Sequence, residues 1–104
     1  MIDSSIISEA TNRLVRKFNP RQIILFGSTA RGTADSKSDI DLLVICPLSG
    51  KRRDLVVEMD RTLAGLGIAR DIIILTPEEF ERDKHIPGTV ARPAWKEGKV
   101  LYEH

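Results

Sequence analysis

Cysteine occurs once, at Cys46, which excludes an intrachain disulfide framework and any CxxC metal site. Histidine is nearly as scarce, with only His85 and His104, too few for a zinc site made wholly of protein ligands. No apolar run approaches the ~20 residues that cross a bilayer. The opening MIDSSIISEA lacks the basic start and long apolar stretch of a secretory signal. An excess of one charge is missing too. Sixteen Lys and Arg stand against fifteen Asp and Glu, a formal charge of +1, without the basic surplus of a dedicated nucleic-acid binder. Together these absences point to a protein of a reducing cytoplasm, with neither membrane nor nucleic acid among its expected partners.

The remaining composition, 41% apolar and 30% charged over 104 residues, is that of one globular domain spanning residues 1–104. A chain of this length buries roughly 65% of the surface it would expose unfolded, enough for one core. Little is left for a second lobe that would enclose a large substrate. An enzyme this small is expected to have its site completed by a partner or a second copy. There is no internal repeat, low-complexity tract or dividing linker.

Periodicity alternates between helix and strand. Ile7, Ala10, Leu14 and Phe18 recur at three- and four-residue spacing and predict a helix over residues 3–18, capped by Asp3, Ser4 or Ser5. Asn19-Pro20 ends it. Residues 22–26 form an apolar, β-prone run closed by Gly27, and residues 39–46 a second buried strand stopped by Pro47. Between them lie a short helix start at Ser28–Arg31 and a polar loop. Leu55, Met59, Leu63 and Leu66 predict a helix running to about Gly65, with Gly65 and Gly67 as stops. A third strand follows over residues 68–75, then Thr76-Pro77 with Glu79, the pattern of a helix N-terminus. A loop at Ile86-Pro87-Gly88, a short helix over residues 91–97 and an edge strand at Val100–Tyr102 complete the chain. The expected class is α/β or α+β.

Three features converge on chemistry. Gly27-Ser28 falls at a strand-to-helix turn, where glycine permits tight backbone geometry and exposed amides can meet a phosphate. Arg31, three residues on, shares a helical face with Ser28 and can reach the same anion. Asp39 and Asp41 lead a buried strand and project from one face, roughly 6–7 Å apart. Two such carboxylates repel, and a hard divalent cation relieves the repulsion. Asp71 opens the third strand and completes a triad if that strand lies beside the second. Each feature alone has an ordinary reading as a turn, a solvated strand end or a surface arginine. Their spacing is less ordinary: Gly27-Ser28, ten residues, then Asp39-x-Asp41 arises by chance in on the order of one in a thousand chains this long.

The stretch Leu25-Phe26-Gly27-Ser28-Thr29-Ala30-Arg31-Gly32, followed by Ser38-Asp39-Ile40-Asp41-Leu42-Leu43-Val44, resembles the minimal nucleotidyltransferases of the DNA polymerase beta superfamily. The leading helix, the third strand with Asp71 and the closing Gly98-Lys99-Val100-Leu101-Tyr102 extend the likeness over nearly the whole chain. The resemblance implies a compact nucleotidyltransferase core, a small mixed β-sheet backed by helices. It implies that Gly27 and Ser28 hold the β- and γ-phosphates of ATP, with Arg31 as a phosphate contact. Asp39 and Asp41 would bind two Mg²⁺ ions, and Asp71 would help bind the catalytic metal or take the acceptor proton. The implied reaction is in-line attack of a hydroxyl on the α-phosphorus with release of pyrophosphate. Relatives of this kind are commonly antitoxins whose partner is a helical HEPN-family toxin ribonuclease, silenced by AMP transfer to a tyrosine. The implied assembly is a homodimer or a hetero-oligomer with the toxin. Two other readings stand beside this one: an antitoxin that neutralises by binding alone, and transfer to a small molecule or an RNA end.

Other residues carry less. Asp35 is a weaker carboxylate candidate, and Lys51-Arg52-Arg53 reads as a solvated helix start. Trp95 reads first as a cap over the core and second as an interface residue, and Tyr102 as packing or partner surface. Cys46 reads as a small buried hydrophobe, and His85 has no assigned role.

Overall fold

The apolar stripe of residues 3–18 needs a surface to cover, and the strands supply one. In the computed structural model, which describes residues 4–27 and 40–104, helix α1 (Ser4–Phe18) is followed by strands β1 (Gln22–Phe26) and β2 (Ile40–Ile45). Helix α2 (Arg52–Thr62) and strand β3 (Arg70–Leu75) come next, then helices α3 (Pro77–Asp83) and α4 (Ala91–Glu97) and strand β4 (Lys99–Glu103). The four strands form one sheet in the order β3-β2-β1-β4. β1 runs antiparallel to both β2 and β4, whereas β2 and β3 are parallel. That parallel pair needs a long crossover, which α2 provides. The sheet is therefore mixed and carries helices, as expected.

Both faces of the sheet are covered, which explains why residues 42–46 read as one continuous apolar run. On one face Ile23, Leu25, Leu42, Val44 and Ile74 pack with Ala10 and Leu14 of α1 and with Met59 and Leu63 at α2. On the other, Ile24, Leu43 and Ile45 pack with Phe80 of α3 and Ala91 and Ala94 of α4. Cys46 belongs to the first core. No helix among the described residues is long and apolar enough to cross a membrane.

Two boundaries differ from expectation by two residues or more. α2 ends at Thr62 instead of near Gly65, because the Leu63 N–H is shared between the Met59 and Asp60 carbonyls and Ala64 bonds to Arg61, which tightens the last turn. β3 begins at Arg70 instead of Ile68. Arg70 donates to the Asp60 carboxylate at 3.0 Å, to the Asp60 carbonyl at 2.9 Å and to the Ile68 carbonyl at 3.1 Å. These bonds hold Ile68 at the corner, while the Ala69 carbonyl still accepts from the Ile40 N–H of β2 at 3.0 Å. The Thr76 signal is realised in full: its hydroxyl accepts from the Glu79 N–H at 3.2 Å, and Glu79 accepts from the Thr76 N–H at 2.9 Å.

Candidate active site

Strand directions bring four termini to one end of the sheet: the finish of β1 and the starts of β2, β3 and β4. Asp41 is registered with Phe26 on one side and with Asp71 on the other. Registered residues of neighbouring strands point to the same face, so the two aspartates stand side by side, their strands ~4.8 Å apart. Their face is the one that Leu43 and Ile45 share with α3 and α4. Asp71 is exposed and Asp41 half-buried.

Gly27 closes β1 with φ 79, a backbone region that side chains disfavour. A Cβ built there would overlap the Asp41 carboxylate oxygen. The glycine thus does more than turn the chain: its missing side chain is the space the Asp41 carboxylate occupies. This contact joins two residues of the Gly27-Ser28, ten residues, Asp39-x-Asp41 spacing across two neighbouring strands. Ser28, Arg31, Asp35 and Asp39 lie outside the described residues. Among the described residues no three His, Cys, Asp or Glu side chains gather as a metal site, and Asp41 with Asp71 supply two carboxylates of the expected triad. Two adjacent carboxylates at an open sheet end are oxygen donors of the kind that suits Mg²⁺, so the residues present fit that ion.

The remaining candidates fall away from this end. A cavity of ≈ 440 Å³ sits by Cys46, Leu48 and Leu55, at the far end of β2 from Asp41. Cys46 is buried, and desolvation pushes its thiol above the usual range, as expected of an inert hydrophobe. Tyr102 pairs with Ile23 and is half-buried against the first core. The Lys51-Arg52-Arg53 stretch is the exposed start of α2, as expected, and one Arg52 nitrogen also meets both Glu79 carboxylate oxygens, at 2.6 and 2.7 Å, which ties α2 to α3. One expectation is corrected. Trp95 does not cap the core: it is 42% exposed, because Ala91 and Ala94 occupy the sheet-facing side of α4. Sequence reasoning missed Arg70, whose anchoring of the β3 start beside Asp71 left no local signal.

The profile of the nucleotidyltransferase domain family matches residues 7–102. A Methanocaldococcus jannaschii protein with the provisional name protein adenylyltransferase MJ0604 is 34% identical over 105 residues, covering 98% of this chain and 100% of that protein. A provisionally named nucleotidyltransferase from Sulfolobus solfataricus superposes with a TM-score of 0.67 at 21% identity, over 96% of this chain and 79% of the other. A chain from a toxin–antitoxin structure determined with AMP-PNP gives a TM-score of 0.60 at 21% identity, over 93% of this chain and 73% of that one. These two structures share the fold.

Proposed function

This chain belongs to the nucleotidyltransferase domain family and is a nucleotidyltransferase, and from that premise we propose that it transfers AMP from ATP to a tyrosine hydroxyl of a HEPN-type partner toxin, acting as its antitoxin. The observation that carries the reading is the Asp41–Asp71 register with Gly27 beneath the Asp41 carboxylate. Adenylyl transfer to protein is favoured by the full-length relative's name, and the toxin partner by the toxin–antitoxin neighbour.

In this reading Gly27 and Ser28 receive the β- and γ-phosphates, Arg31 neutralises phosphate charge, and Asp39, Asp41 and Asp71 hold two Mg²⁺ ions. When bound, Mg²⁺ supplies Lewis-acid stabilisation of charge on the phosphate oxygens. The acceptor oxygen forms a bond to the α-phosphorus while the bond from that phosphorus to the bridging oxygen breaks and pyrophosphate leaves. Asp71, the more exposed of the two described carboxylates, takes the hydroxyl proton. Asp41 stays seated in the Gly27 gap, so its oxygens need no reorganisation when nucleotide arrives.

The test uses α-labelled ATP, Mg²⁺ and the purified product of the adjacent gene, beside Asp41→Asn and Asp71→Asn. Wild type is expected to label the partner, and each variant to lose on the order of 100-fold or more in rate while remaining folded. Labelling that persists in both variants sinks the assignment. Protection of the partner by the unlabelling variants would instead make this a contact antitoxin.

A further inference from the structure

Asp41 and Asp71 are held in different ways. Asp41 lies in β2, between β1 and β3, and its carboxylate fills the gap at Gly27. Asp71 is the second residue of β3, an edge strand whose one neighbour in the sheet is β2. The start of an edge strand is where a sheet opens most readily, because one side of its backbone lacks a strand partner. Something besides the ladder must fix Asp71 if its carboxylate is to act together with that of Asp41.

Arg70 supplies that hold. Its Nε meets the Asp60 carboxylate at 3.0 Å, one Nη the Asp60 carbonyl at 2.9 Å, and the other Nη the Ile68 carbonyl at 3.1 Å. The Arg70 side chain is only 15% exposed, so this is more than a solvated surface pair. Asp60 lies in the last turn of α2, where the helix end favours a cation. One guanidinium thus joins the end of a helix to the start of a strand. Side chains alternate along a strand, so Arg70 projects with Ile72 and Ile74 toward α2, and Asp71 with Ile73 toward the other face. The clamp therefore grips from the face opposite the site and reaches Asp71 through the backbone alone. That path is short. Ile40 is registered with Arg70, donates to the Ala69 carbonyl at 3.0 Å, and so accepts from the Asp71 N–H.

We propose that Arg70 is a positioning residue for Asp71: by binding Asp60 and Ile68 it pins the first peptide of β3, and with it the separation of the two carboxylates. The consequence for the reaction rests on the transferase reading above; the clamp itself does not. Arginine suits the place because its planar fork meets a carboxylate and two carbonyls at once, whereas a lysine ammonium offers one compact charge. The competing account is a role in general stability, in which losing Arg70 loosens the whole domain. Both cores are built of apolar side chains on the sheet and helices without Arg70, which confines the expected effect to the strand start.

Amide hydrogen exchange in the protein free of metal and nucleotide tests the clamp, and label transfer to the purified product of the adjacent gene tests its consequence. In Arg70→Gln the Asp71 N–H is expected to exchange about tenfold faster, with Ile24 and Leu43 at the centre of the sheet unchanged. The same variant is expected to lose about tenfold in kcat, with KM for ATP and for the acceptor within about twofold of wild type. In an Asp71→Asn background Arg70→Gln costs no further rate, because the carboxylate it positions is gone. Asp60→Asn spares both carbonyl bonds and removes a carboxylate that is 56% exposed, so about threefold is expected in each readout. That milder variant decides the matter if Arg70→Gln does not fold. The proposal is overturned if exchange at Asp71 is unmoved or if Arg70→Gln transfers like wild type. It is equally overturned if the substitution costs the same factor with and without the Asp71 carboxylate, the mark of a general loss of stability. A wild type that labels no acceptor would fail the transferase reading, and faster exchange at Asp71 would then uphold the clamp by itself.

Discussion

Gly27 illustrates how one residue can be chosen by a distant one. Alanine there must adopt φ near 79, at about 1–2 kcal/mol, and its methyl group would collide with the Asp41 carboxylate. Gly27→Ala is therefore expected to lower stability by at least that amount and to displace the Asp41 oxygens, reducing transfer on the order of 100-fold. Thermal denaturation and label transfer measured on the same preparation check both halves. Normal transfer with a normal melting curve would mean that the carboxylate does not depend on this gap. The sequence offers Gly27 and Ser28 as a candidate phosphate turn, but not the space under Asp41, which exists only once β1 and β2 pair.

Among the elements, α3 is short and owes its place to its first turn. Thr76 and Glu79 satisfy each other's backbone N–H groups, and Glu79 also pairs with Arg52 of α2. The Thr76 N–H, and after it the Arg52 guanidinium, hold the Glu79 carboxyl below its ordinary 4.5. A group depressed in the folded state contributes stability that is complete above its unfolded pKa and is lost as pH falls through the folded one. Thr76→Ala is expected to cost about 1 kcal/mol at neutral pH. Glu79→Gln should in addition flatten the decline of stability on acidification below pH 4.5. Urea denaturation across the acid range checks the sign, and a variant as acid-sensitive as wild type would assign that sensitivity elsewhere. At the other end of the same helical layer, Gly98 leaves room for the Ala94 carbonyl and the Ile24 side chain, which is how α4 lies close enough to bury Ala91 and Ala94.

For the molecule as a whole, two apolar cores hold the sheet from both faces, and the carboxylates occupy an end that neither core needs. Folding is thus expected to be independent of metal, unlike that of small metal-nucleated domains. Chelation by EDTA should abolish transfer, restored by Mg²⁺, with the melting midpoint of the nucleotide-free protein unchanged. Mg²⁺ with a non-hydrolysable ATP analogue at about 100 times its Kd adds ~2.7 kcal/mol, which raises the midpoint by roughly 10 °C or more. Asp41→Asn should lose most of that rise. A chelator-induced fall in the midpoint of the free protein would show that the metal belongs to the fold and not to the reaction.

Helix and strand order, the mixed α/β character, the Thr76 capping box and the four-residue nucleotidyltransferase spacing were all written in residues near one another. Apolar period, turn formers and caps act within a few residues and need no knowledge of the rest. What tertiary structure alone decided involves pairs far apart in the chain. Asp71 stands beside Asp41 because β3 pairs parallel to β2 in that register. The Gly27 gap is filled because β1 lies against β2, and Arg52 meets Glu79 because α2 and α3 converge at one corner. Trp95 faces solvent because the small Ala91 and Ala94 take the sheet-facing side of α4. Side-chain chemistry named the candidate groups; strand register and helix rotation, set by burial of both sheet faces, determined which of them meet.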